Sequence, residues 1–141
     1  LVEEHFEVFK SIAESKNIAL VNDGLPMMVK TDRHILSFVL RNLIANAIKF
    51  SFEKGSVKIS YEQEVAGFRL EVDDNGKGMP EEIVGSLFHV KSTVSSEGTN
   101  NEKGTGLGLS LCYGYLKYIQ GEISVRSAPG EGTTFTIRVP Q

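Results

Sequence analysis

Three short stretches combine residue types and spacings that could do chemistry. Asn42, Asn46 and Lys49 follow one another at intervals of four and three residues. At 100° per residue they lie within about 60° of each other on a helix, with the apolar stripe of Leu36, Leu40, Leu43 and Ala47 centred roughly 130° away. Asparagine is a mediocre helix former because its side chain competes for backbone groups, so two of them one turn apart beside a lysine need a reason. One reason is a half-exposed face with ordinary hydrogen bonds. The other is a site for a hydrated divalent cation and phosphates, since amide oxygens ligate magnesium and an ammonium group neutralises phosphate.

The second stretch is Asp74-Asn75-Gly76-Lys77-Gly78-Met79, at the end of an apolar run. An acid at a strand end followed by glycines lets backbone approach a flat ligand while the carboxylate accepts from it. A plain glycine turn and a calcium loop are the competitors. Calcium is excluded: the first ligand position is Glu71 rather than Asp, Pro80 interrupts the loop, and the preceding pattern is a strand. The third stretch, Lys103-Gly104-Thr105-Gly106-Leu107-Gly108-Leu109, runs into a helical pattern. Backbone N–H groups at a helix start, stripped of Cβ bulk, bind anions. The dinucleotide fingerprint fails here because the third glycine comes one residue early and no strand precedes it. No P-loop run occurs anywhere.

These stretches need elements to position them. Phe6, Phe9, Ile12 and Ala13 predict a helix over 3–16, with Glu3, Glu4 and Glu7 early and Lys16 last, as its dipole favours. An apolar stretch over 18–21 reaches a turn at Asn22-Asp23-Gly24, and 27–30 reads as another short strand. The strongest helix opens at Thr31 or Asp32 and runs to about Phe50. Val57/Ile59/Tyr61 and Phe68/Leu70/Val72 alternate as two strands, with the turn at Ala66-Gly67. A short helix follows Pro80. Residues 89–103 are polar, eight of fifteen being Ser, Thr, Asn or Gly, and read as a mobile surface loop. A helix from about Gly106 to Gln120 stops at Gly121, and Ile123/Val125 and Phe135/Ile137/Val139 form the last two strands. One-sided strands and three striped helices predict an α+β two-layer sandwich. Its sheet is mixed but mostly antiparallel, of about five strands, with three main helices on one face.

The chain has 141 residues, 40% hydrophobic and 23% charged, which predicts one globular domain over 1–141. A net charge of −3 argues against a dedicated nucleic-acid or anionic-membrane binder. The single cysteine, Cys112, excludes an internal disulfide and suits a reducing cytosol. No run reaches the length of a membrane span, and the start lacks a signal-peptide pattern. Opening on Leu1, the sequence reads as a piece of something longer. Of the 14 glycines, five fall within 74–78 and 104–108.

In this order, the Asn/Asn/Lys helix, the Asp-x-Gly-x-Gly turn, the polar loop and the glycine-rich helix start resemble the ATP-binding catalytic domain of sensor histidine kinases. That domain belongs to the superfamily (the GHKL or Bergerat-fold group) of gyrase, HSP90 and MutL ATPases. RNLIANAIKFS (41–51) is similar to its N box, DNGKG (74–78) and GTGLGL (104–109) to its two glycine boxes, and Leu87-Phe88 to its F box; Gly132-Thr133-Thr134-Phe135 follows on the last strand.

The resemblance implies ATP and Mg²⁺ as ligands. It implies Asn46 on the metal, Asn42 and Lys49 supporting metal and phosphates, and Asp74 accepting from the adenine amino group. Gly76, Gly78, Met79, Phe88 and Thr133 would line the base. Gly104, Thr105, Gly106, Leu107, Gly108 and Leu109 would hinge a lid over 89–103 and offer N–H groups to phosphate, with Lys91 and Lys103 as phosphate contacts. Where hydrolysing relatives carry a Glu base four residues before the magnesium Asn, this chain has Asn42, which favours phosphoryl transfer over hydrolysis. His5 and His34 read as exposed helical residues and His89 opens the lid; none sits in a phosphoacceptor motif. The implied function is therefore donation of the γ-phosphoryl group to a histidine on a separate dimerisation segment of a parent sensor kinase. A response regulator would be an indirect partner. The domain itself would be cytoplasmic and monomeric, without nucleic-acid or membrane contact. Alternatives are an ATPase conformational switch of the gyrase/HSP90 kind and a serine kinase of the anti-sigma-factor type.

Overall fold

Alternating apolar residues in the strand segments and a 3.6-residue stripe in the helical ones give each element one face to bury. The computed structural model describes residues 1–88 and 107–141. In chain order they form α1 (Val2–Ser15), β1 (Ala19–Asn22), α2 (Arg33–Phe50), β2 (Ser56–Glu64), β3 (Gly67–Asp74), α3 (Glu81–Ser86), α4 (Gly108–Tyr118), β4 (Glu122–Ser127) and β5 (Thr133–Pro140). One five-stranded sheet has the order β1-β2-β3-β5-β4. β1 runs parallel to β2 and every other pair is antiparallel. The expected two-layer sandwich is present. The expected lid, 89–103, lies outside the described residues.

α2 is the central beam. Asp32 caps it, its carboxylate accepting from the N–H groups of His34 at 2.8 Å and Ile35 at 3.0 Å. Val39, Leu40, Leu43 and Ile44 are completely buried against the sheet, each contributing about 1.5–3 kcal/mol of hydrophobic stabilisation. Opposite them the register stacks apolar rows across β3, β5 and β4: Leu70–Ile137–Ile123, then Val72–Phe135–Val125.

The structure departs from the sequence reading where long-range contacts decide. No strand forms over 27–30. Pro26 offers no N–H, Met28 is 94% exposed, and Lys30 instead exchanges bonds of 3.0 and 2.6 Å with the side-chain amide of Gln141. The β2–β3 turn is Val65-Ala66, because Glu64 already pairs with Gly67. Gly67 is a strand residue whose missing Cβ makes room for the Val139 carbonyl of β5. α4 begins at Gly108 and ends at Tyr118, two residues short of Gln120. Ile12 is on the solvent side of α1, 54% exposed.

His5 is buried rather than exposed, its ring nitrogens 2.8 Å from the Leu1 carbonyl and 3.0 Å from the Ser37 hydroxyl of α2. Glu3 and Glu4, in the first turn of α1, also engage Asn22 and Arg33 at 2.6 Å. Lys16 does not complete the dipole of α1. It is buried, and its ammonium donates to the carbonyls of Ile48 at 2.9 Å and Lys49 at 3.3 Å, capping the C-terminus of α2. Lys16→Met should therefore destabilise the protein by about 1–3 kcal/mol in chemical denaturation. Lys10→Met on the exposed side of α1 should change stability by less than about 0.5 kcal/mol.

Candidate functional site

The site is built where the apolar rows end. One row beyond Val72–Phe135–Val125, the register sets Asp74 beside Thr133 and Thr133 beside Ser127. Alternation keeps all three side chains on the helix side of the sheet. Asp74 and Thr133 are each only 5% exposed. Burial pushes the Asp74 carboxyl up to about 6. The Gly76 N–H, donating to Oδ1 at 2.9 Å, pulls the other way; Asp73 beside it adds to the rise, and the Thr133 N–H lowers it.

The glycine turn after Asp74 is shaped by its own surroundings. A Cβ on Gly76 would run into the Phe50 carbonyl, and one on Gly78, at φ +67, into the Ala128 carbonyl. These glycines are therefore demanded by backbone packing, whatever they also leave open for a ligand. Lys77 between them donates its N–H to the Phe50 carbonyl at 3.0 Å, tying the turn to the end of α2. Asn75 Oδ1 accepts from the Ser56 N–H at 2.9 Å.

Asn42, Asn46 and Lys49 are half-buried on α2. The Asn42 amide donates to the Phe38 carbonyl at 2.8 Å, and its oxygen occupies the space that a Cβ on Gly108 would need. The first residue of α4 thus sits directly against the polar stripe of α2. Lys49 and Lys77 both place their ammonium groups over the Phe50 ring, at 5.0 and 5.1 Å from its centroid. Phe88 stacks on Tyr113 of α4 at 5.9 Å and meets Phe135 edge-on at 6.5 Å. Met79 and Leu109 are half-buried against the core, and Leu107 is exposed.

The structure thus sets Asp74 beside Thr133, and Gly76 and Lys77 against the Phe50 end of α2 where Lys49 also lies. It sets Gly78 against Ala128 and Gly108 against Asn42, and Met79 beside Ser127. Asn46 is half-buried on α2 between Asn42 and Lys49. Lys91, Lys103, Gly104, Thr105 and Gly106 lie outside the described residues, as does His89. Among the described residues no cluster of three or more His, Cys, Asp or Glu could cage a metal, and no helix is long and apolar enough to cross a membrane. Sequence reasoning missed Ser127. Its hydroxyl accepts from the Met79 N–H at 2.9 Å, donates to the Gly132 carbonyl at 2.9 Å and lies 2.8 Å from the Thr133 hydroxyl. Continuing the Ile123/Val125 alternation by one step would have placed it on the pocket side.

The chain thus carries a buried acid at a sheet end and, on α2, two asparagines and a lysine in one half-buried stripe. The sequence profile of histidine kinase-, DNA gyrase B- and HSP90-like ATPases matches residues 31–141, and the chain belongs to that family. Within it, the chain is similar to the catalytic domains of sensor histidine kinases. It is 38% identical over 148 residues to the sensor protein EvgS of Escherichia coli, covering 99% of this chain and 12% of that protein. It is 34% identical over 120 residues to the sensor histidine kinase RcsC of Escherichia coli, covering 85% and 12% respectively. The chain thus spans about one-eighth of the length of these relatives. The solved catalytic domain of the histidine kinase ThkA superposes with a TM-score of 0.84 at 29% identity, covering 99% of this chain and 90% of that one. Membership of this family carries ATP binding.

The raised pKa of Asp74 makes a stability prediction. A carboxyl that is easier to protonate when folded than when unfolded costs stability once both states are ionised. Its penalty should be absent below pH 3.8 and grow as pH rises to about 6. Asp74→Asn should then stabilise the free protein at pH 8 by about 1–3 kcal/mol and gain much less at pH 4, read by urea denaturation at both pH values.

Proposed function

We propose that this chain binds Mg-ATP at the Asp74 end of the sheet and presents the γ-phosphoryl group to a histidine on a separate segment of a parent sensor kinase. The observation that carries this reading is the placement of Asp74. Its buried carboxylate opens a turn tied to the Phe50 end of α2, the helix that carries the Asn42/Asn46/Lys49 stripe: one acceptor for a base and one polar strip for phosphates. Adenine offers an amino group to such a carboxylate, where guanine offers a carbonyl.

Asn46 is the residue that would hold Mg²⁺. A lone amide oxygen with no carboxylate cage suits an ion that keeps several waters and is bound mainly through phosphates. When bound, the ion supplies charge neutralisation at the phosphate oxygens. Lys49 adds a positive charge on the same helix face, and its ring contact with Phe50 holds it in place without removing that charge. Catalysis then rests on positioning and electrostatics. Asn42 is no proton acceptor at neutral pH, and its amide is engaged with Phe38. This disfavours activation of water or of a serine hydroxyl and favours transfer to a histidine, whose ring nitrogen attacks through a lone pair, against an ATPase switch or a serine kinase.

The partner on this reading is a phosphoacceptor hairpin, with a response regulator downstream. The relative ThkA has been solved in complex with the response regulator TrrA. The domain would act as a monomer in the cytoplasm, where ATP is supplied.

Titration calorimetry with ATP and Mg²⁺ tests binding. The unmodified protein should bind ATP, more weakly as pH falls below about 6, where the Asp74 acceptor is protonated. Asp74→Asn should cut affinity at pH 7.5 by roughly tenfold or more and flatten the pH profile. No adenine-nucleotide binding by the unmodified protein would sink the reading. With γ-labelled ATP and an added histidine hairpin, label should appear on protein; label released as free phosphate instead would favour the ATPase alternative.

A further inference from the structure

We infer that Ser127 is a positioning residue that fixes the hydroxyl proton of Thr133 and so makes the base end of the pocket an all-acceptor surface. The inference deepens the adenine reading and rests on it. A serine hydroxyl has one proton and two lone pairs. The Gly132 carbonyl can only accept and the Met79 N–H can only donate, so at 2.9 Å each they take the Ser127 proton and one lone pair. The remaining Ser127 lone pair faces the Thr133 hydroxyl at 2.8 Å. All three bonds are satisfied together only when Thr133 is the donor. Its proton is then committed to Ser127, and its hydroxyl has lone pairs but no proton for a base.

Thr133 lies beside Asp74 in the same sheet row, so an ionised Asp74 and an oriented Thr133 offer acceptors side by side. A purine with an amino group at its six position suits that surface, directly or through a water. A purine with a carbonyl there sets its oxygen against two acceptors and offers them only its single N1–H, where the amino group has two N–H donors. Loss of Ser127 would free the Thr133 proton to turn toward the ligand, and the penalty on the carbonyl would fall. The group that sets this discrimination is thus two strands away from Asp74, on β4 with β5 between them.

The test is the ratio of affinities for ATP and inosine triphosphate, measured by calorimetry with Mg²⁺ at pH 7.5. The unmodified protein should favour ATP by roughly tenfold or more. Ser127→Ala should narrow the ratio by at least about fivefold, chiefly through tighter inosine triphosphate binding, and Ser127→Thr should keep it. Ser127→Cys preserves volume but is a poor acceptor, so it should narrow the ratio too and covers the case in which the alanine variant does not fold. Adding Thr133→Val to Ser127→Ala removes the freed proton and should abolish the gain for inosine triphosphate. An unchanged ratio in the alanine and cysteine variants overturns the inference, even if both affinities fall together, because that is what a purely structural serine would give. Absence of ATP binding by the unmodified protein defeats the adenine reading first and takes this proposal with it.

Discussion

The burial of one carboxylate sets the terms for the rest of this structure. Asp74 sits where three apolar strands run out, in a row whose inward neighbour is Val72–Phe135–Val125. An acid placed there loses water, and its pKa climbs to about 6. Among the described residues the fold answers with backbone donors from Gly76 and Thr133 rather than with a cation. A lysine or arginine partner would hold the charge more cheaply but would also occupy the direction from which a ligand must come. Backbone donors leave that direction to the solvent side. The glycines follow from the same geometry. Gly132, at φ +75, passes so close that a Cβ would strike the Asp74 carbonyl, and Gly76 is pressed against the end of α2.

A carboxylate at one end of a sheet is useful only if the helix bearing the polar stripe is held in fixed register with it. That register is set at the C-terminus of α2. The Phe50 carbonyl accepts from Lys77 in the glycine turn, while Lys16 takes the carbonyls of Ile48 and Lys49 from the opposite side. Ser51 closes the last turn by donating to the Ala47 carbonyl at 2.6 Å. Carbonyls left without intrahelical partners at a helix end need some donor. Here the donors come from α1 and from the Asp74 turn, so the helix end becomes the joint between the two halves of the pocket. Lys49 is the residue whose carbonyl is held by this joint and whose ammonium lies over the Phe50 ring.

Local pattern made the elements legible. The stripe of α2 and the alternation in β2, β3 and β5 depend on neighbours within a few residues, so periodicity alone finds them. The motifs were legible for the same reason: asparagines one turn apart, or an acid followed by alternate glycines, are short-range statements. What escaped depends on residues far apart in sequence. Lys16 and His5 look like ordinary helix-surface residues until α2 packs on them, through contacts 32 residues away. The segment at 27–30 has the composition of a strand but finds a glutamine side chain instead of a ladder. Ser127 carries no motif; only the β4–β5 register brings it beside Thr133. Gly76 and Gly78 show a subtler case: the sequence suggests room for a ligand, while the backbone they accommodate belongs to Phe50 and Ala128.

Position 42 shows how packing and chemistry constrain each other at such a site. A glutamate there would be a proton acceptor for water, but it could not donate to the Phe38 carbonyl as the Asn42 amide does. The Asn42 oxygen also lies where Gly108 has no Cβ, so the start of α4 approaches α2 at that point. Ionising this position would place a full negative charge against that junction and, on the proposed reading, at the edge of the surface that receives phosphates. The charge would oppose the ligand unless a metal ion or lysine offset it. An amide keeps the hydrogen-bonding shape, preserves the helix–helix approach and adds no charge. The loss of a base for hydrolysis and the close seating of α4 are therefore two consequences of one side chain, and neither can be altered without disturbing the other.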